Sequence, residues 1–143
     1  MATRSRIAME LGDGSVLSIY CHFDGYLEYN GAILQNHYQD PEKVKALISL
    51  GDISLLGERV EPTGKHGFDY DDREKGVVVA YGRDRGETGT QPRKDKSVAA
   101  FFKGDIEEYG YLFTQEGEWL VKTVYDDNDP VPLGIVLKET IKN

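Results

Sequence analysis

Two short runs of alternating side chains, separated by a four-residue break, constrain this chain more than any other feature of its sequence. Ile7, Met9 and Leu11 alternate with Arg6, Ala8 and Glu10. Gly12-Asp13-Gly14-Ser15 then interrupts, and Leu17, Ile19, Cys21 and Phe23 alternate with Ser18, Tyr20, His22 and Asp24. A period of two is the signature of a half-buried strand, so the segment predicts a β-hairpin. Successive strand side chains point to opposite faces, which places Tyr20, His22 and Asp24 on one face and Cys21 with the apolar set on the other. Arg4 and Arg6 come from the paired strand. The same geometry argues against a Cys21–His22 nucleophile and base, because neighbours on a strand diverge.

The rest of the chain alternates helical and extended signals. Asn30 is placed to cap a short helix carrying Ile33, Leu34 and His37. Asp40-Pro41-Glu42 supplies an N-cap, a first-turn proline and a first-turn acid for a second helix, whose buried stripe is Val44, Leu47 and Ile48, with Leu50 a further candidate, and whose end is marked by Gly51. Asp52 to Leu56 suggests one more helical turn. Residues 58–75 are rich in glycine, proline and charge and predict a long surface loop. Gly76 to Tyr81 is apolar on both faces and predicts a central strand. Residues 82–97 are expected to form a second exposed loop. Val98 to Phe102 fits either a strand or a short helix. Tyr109 to Phe113 and Glu118 to Tyr125 flank Thr114-Gln115-Glu116-Gly117, a second hairpin. Val131 to Ile141 fits a strand followed by a helical turn, or one helix.

With 143 residues, 39% of them hydrophobic, the chain can bury a core as one domain, 1–143. One cysteine and no basic-then-apolar leader point to a reducing cytoplasm, and no apolar run reaches the roughly 20 residues needed to span a bilayer. The excess of 25 acidic over 17 basic residues gives a charge of -8, which disfavours direct nucleic-acid or anionic-membrane binding.

Few motifs point to catalysis. The metal-ligand supply is His22, His37, His66, one thiol and scattered carboxylates without a two-histidine or paired-cysteine spacing, so no metal or cofactor is expected. Asp126-Asp127-Asn128-Asp129 lacks the glycine and distant glutamate of a calcium loop and reads as a solvated acidic turn. Glu107 and Glu108 are adjacent and diverge, so they do not form an acid-base pair. The stretch Tyr81-Gly82-Arg83-Asp84-Arg85-Gly86-Glu87 is more suggestive: Arg83 and Arg85 bracket an acid at the end of a strand and can offer bidentate donors to an anionic group. Tyr20, His22, Asp24, Arg83 and Arg85 are therefore the candidate binding residues. Nine tyrosines add to the supply of amphipathic contact surface.

Ala2-Thr3-Arg4-Ser5-Arg6-Ile7, the Tyr20-Cys21-His22-Phe23-Asp24-Gly25-Tyr26 run, and Val79-Ala80-Tyr81-Gly82-Arg83-Asp84-Arg85-Gly86-Glu87 together resemble a group of small accessory proteins of tailed bacteriophages whose function is not assigned. The resemblance implies a small acidic protein of the host cytoplasm during infection that binds and modulates or inhibits a host macromolecule, in takeover or counter-defence.

The expected fold is α+β, an antiparallel or mixed sheet of about five strands with two or three short helices packed on one face. The first functional expectation is a non-enzymatic protein that binds a host protein. The alternative is a small ligand-binding or hydrolytic protein acting on an anionic substrate, with His22 as base, Asp24 orienting it or binding metal, and Arg83 or Arg85 holding the anion.

Overall fold

The computed structural model describes residues 2–141, and its frame is the hairpin read from the alternating runs. Strand β1 (Ser5–Glu10) pairs antiparallel with β2 (Val16–Cys21), placing Ile7 opposite Ile19 and Arg6 opposite Tyr20. The turn is closed by Leu11 N–H donating to Ser15 O at 2.8 Å, while Asp13 Oδ1 accepts from both the amide and the hydroxyl of Ser15.

After β2 the chain makes a π-helical turn (Leu27–Gly31) that runs into α1 (Ala32–His37), followed by α2 (Pro41–Ser49). The start of α2 is built as its sequence suggests: the Asp40 carboxylate accepts from Glu42 N–H at 3.0 Å, and Pro41 occupies the first turn, where a missing donor costs nothing. Gly51 follows at φ +78°, and any side chain there would run into the Thr90 carbonyl. Next come β3 (Ile53–Leu55), β4 (Val79–Ala80), α3 (Tyr81–Arg85), β5 (Arg93–Asp95), α4 (Val98–Lys103), the hairpin β6 (Tyr109–Phe113) and β7 (Trp119–Thr123), β8 (Val131–Pro132) and α5 (Leu133–Ile141).

The fold is α+β, with one mixed sheet in the order β4-β3-β2-β1-β6-β7-β8, and with β5 sharing the outer edge of β2 with β3. Parallel pairs occur at β1/β6 and β2/β3, and the other pairs are antiparallel. Among the described residues eight strands exceed the expected number of about five because β3, β5 and β8 are only two or three residues long, too short to display a period.

The helices also cover both faces rather than one. Ile7 and Ala8 are adjacent on the central strand, point opposite ways, and are both completely buried. On the first face Ile7, Ile19, Tyr111 and Trp119 pack beneath Leu34, Leu47 and Leu137 of α1, α2 and α5. On the second, Ala8, Val16 and Leu112 pack beneath Phe101, Phe102 and Ile106. The ambiguous Val98 to Phe102 run resolves as helix because Ser97 Oγ accepts from Ala100 N–H at 3.0 Å and starts α4.

Other local expectations yield to tertiary pairing. Asp52 to Leu56 is strand instead of helical turn, since Ile53 O and Ser54 O accept from the His22 and Phe23 amides at 3.1 and 2.9 Å. Asn30 does not cap α1; it lies buried inside the π turn and its amide donates to Ser5 Oγ at 3.1 Å. Gly76 to Tyr81 contributes only Val79–Ala80 to the sheet, at its margin, and is buried because the 58–75 segment folds over it: Val78 N–H donates to Arg59 O at 2.9 Å. Residues 82–97, expected to be irregular, include most of α3 and all of β5. Among the described residues no helix is long and apolar enough to cross a membrane.

Candidate functional site

The part of the second sheet face that α4 leaves uncovered carries Tyr20 and His22. Their side chains share that face because His22, which follows the end of β2, stays extended with its amide donating to Ile53 O at 3.1 Å, and the Tyr20 hydroxyl and His22 Nδ1 lie 2.7 Å apart in a shared hydrogen bond. Burial, followed by the charge of Glu107, pushes the Tyr20 phenol above its ordinary value, so it stays protonated over the working pH range. The Phe23 and His22 rings meet in a T-shaped contact with centroids 4.5 Å apart.

Asp24 does not join them. β2 ends at Cys21, and Asp24 turns the chain at φ +56°, a left-handed conformation that aspartate tolerates better than most residues. Its carbonyl accepts from Asn30 N–H, and its carboxylate acts electrostatically on Tyr29. The ring partner of His22 is therefore a phenol, not the carboxylate that a histidine base would use as its orienting group. Cys21 lies on the other face as expected, completely buried, and burial pushes its thiol up to about 11.

The second candidate segment reaches the same region through Asp52. The Asp52 carboxylate accepts from Tyr20 N–H at 2.9 Å, and its carbonyl accepts from Tyr81 N–H at 3.2 Å, which ties the start of α3 to the side of β2. The Tyr81 phenol acts electrostatically on that of Tyr20. Beyond Tyr81 lies Phe68 of the long loop, with ring centroids 5.4 Å apart, and the Arg85 guanidinium sits 4.8 Å over Phe68 and 5.9 Å over Tyr81. The side chain of Arg85 is half exposed and pairs with Glu87 at 3.2 Å. The result is two aromatic groups, Phe23–His22–Tyr20 and Tyr81–Phe68, linked through the Asp52 hydrogen bonds and together termed the aromatic row, which ends at the Arg85 cation.

Arg83 faces inward. Its guanidinium donates to Val60 O at 2.6 Å, to Val78 O at 2.7 Å and to the Asp84 carboxylate at 2.9 and 3.0 Å. Asp84 also accepts from Ala80 N–H at 2.8 Å and contacts His66 Nε2 at 3.2 Å. Burial works against its charge, but Arg83, the Ala80 amide and His66 together hold the carboxyl below its ordinary value. His66 Nδ1 accepts from Glu74 N–H at 2.8 Å, so the ring proton is on Nε2 and points at Asp84. With only 2% of its side chain exposed and both nitrogens engaged, His66 latches the 58–75 loop to α3.

Towards β1 the uncovered face becomes charged. Arg6 is buried and donates to Ser18 Oγ at 2.9 Å and Ser18 O at 3.1 Å; burial and then the Arg93 charge pull it below its ordinary value. Glu107, at φ +62°, donates its amide to Asp105 Oδ1, and burial followed by the Asp105 charge raises its carboxyl. Adjacent Glu108 accepts from Arg4 N–H and the Tyr125 hydroxyl.

The three histidines occupy separate places: His22 beside Tyr20, His37 beside Glu58 at 3.5 Å, and His66 beside Asp84. Sequence reasoning missed Phe68 and Asp52. A lone phenylalanine in a charged, glycine-rich loop was the available signal for the first, whereas nothing local marks the second. Compared with protein-family models, curated proteins and solved structures, the chain matches none.

Proposed function

We propose that this chain is a non-enzymatic interaction protein that binds a host macromolecule through the uncovered sheet face, in the manner of the phage accessory proteins its sequence resembles. The observation that supports this reading is the aromatic row ending in Arg85, assembled from three segments distant in sequence. Aromatic rings and arginine are the side chains that most often carry binding energy at protein interfaces. Rings fixed by a strand register and by a latched loop lose little freedom on binding. Tyr20, His22, Tyr81 and Arg85 supply the contact area and the directional cation. Arg83 holds the loop on which Phe68 sits.

The test is affinity capture from bacterial lysate with the wild-type chain and with a His22→Ala/Arg85→Ala variant as baits, read by quantitative mass spectrometry. A host protein enriched by the first and lost with the second supports the proposal. Equal enrichment by both baits, or none by either, refutes it.

A further inference from the structure

A second surface lies at the far end of the strand order from the aromatic row and on the opposite face of the sheet. β8 pairs with β7 only at Leu120 and Val121, so it stops before Lys122 and Thr123. The space beside that stretch of strand edge is an open cleft of about 680 Å³, floored by Leu27, Tyr109, Val121 and Val136. Its apolar surface continues outward: Val131 is 39% and Ile135 57% exposed on the same rim. Apolar surface that runs contiguously out of a groove marks an interaction site, whereas isolated exposed aliphatic side chains do not.

Among the described residues, three of the four charged side chains that line this cleft are acidic. Asp126, Asp129 and Glu139 line it. The Glu28 carboxylate acts on Tyr109 of the floor and raises its phenol after burial has done so. The cation in the wall, Lys122, is drawn into the turn, where its ammonium donates to the Asp126 and Asn128 carbonyls at 3.3 and 2.9 Å. A small enclosed ligand would not use the aliphatic surface outside the cleft, and an acidic segment would be repelled by its rim.

We infer that this cleft docks a cationic, aliphatic segment of a partner protein, with leucine-like side chains seated against Tyr109, Val136 and Ile135 and lysine or arginine side chains reaching Asp126 and Asp129. The inference stands independently of the aromatic row and survives if that surface binds nothing. The charge complementarity commits it to a basic occupant, and the exposed aliphatics commit it to an amphipathic one.

The test uses a fluorescein-labelled leucine–lysine peptide and a leucine–glutamate peptide of equal length, titrated with the full chain at physiological salt and read by anisotropy. The leucine–lysine peptide should bind saturably and the leucine–glutamate peptide should not. Ile135→Glu adds negative charge and so should tighten mere charge attraction, whereas a seated anchor requires it to weaken binding by about tenfold or more. Val131→Glu, read the same way, replaces it if Ile135→Glu lowers the melting temperature. Asp129→Lys should weaken binding roughly three- to tenfold, while Glu116→Lys, at the other end of the β6–β7 hairpin, leaves it unchanged. Tighter or unchanged binding by the glutamate variant, equal effects of Asp129→Lys and Glu116→Lys, equal binding of both peptides, or no binding of the leucine–lysine peptide would overturn the inference.

Discussion

The hydroxyl of Tyr20 and Nδ1 of His22 share a hydrogen bond of 2.7 Å at the end of β2, so the two rings present themselves as a unit. Both are partly exposed, and neither supports the core. His22→Ala and Tyr20→Phe should each change folding stability by no more than about 1 kcal/mol, as surface changes do. Under the proposed function each should weaken partner binding about tenfold or more. Chemical denaturation alongside titration of the captured partner measures both. A loss of several kcal/mol with either variant would make the pair structural.

Loosening of the 58–75 loop should be acid-dependent, through Asp84. Its folded value is lowered, so the stability it contributes is complete above the ordinary carboxylate value of 3.8 and disappears as pH falls below that through the folded value. Asp84→Asn should cost on the order of 1–3 kcal/mol at neutral pH, because it removes charge from a hydrogen-bonded cluster. It should also flatten the acid limb. Limited proteolysis within residues 61–73 and exchange of the Glu74 amide, which donates to His66, read the local opening directly.

Cys21 should resist alkylation in the folded protein. Its thiol is completely buried and pushed up to about 11, so little thiolate exists at pH 8 and none of it is accessible. Because the folded value is raised, this group's contribution to stability is intact below the ordinary thiol value near 9 and is lost as pH climbs from there towards 11. Iodoacetamide labelling followed by mass spectrometry should show modification only under conditions that unfold the chain. Rapid labelling of native protein would contradict the burial.

Leu47→Ala should cost about 2–5 kcal/mol, the range for truncating a fully buried aliphatic side chain. Leu47 is the centre of the α2 stripe packed on the first sheet face. A denaturation midpoint equal to that of the wild type would mean that α2 is not docked.

The two hairpins, the caps and stripe of α2 and the burial of Cys21 could be read from the residues alone, because each depends on a local period or a local hydrogen bond. Alternation running through β2 to the residue after it was enough to put Tyr20 and His22 on one face. It did not extend to Asp24, where the backbone turns left-handed. Nor could it tell Arg83, committed to the Val60 and Val78 carbonyls, from Arg85, which is half exposed over two rings. The short strands β3 and β5 were illegible because a three-residue segment takes its conformation from the strand beside it. Local periodicity determines which way a side chain points; what covers it, pairs with it or leaves it open to a partner depends on segments far away in the chain, and only their packing decides that.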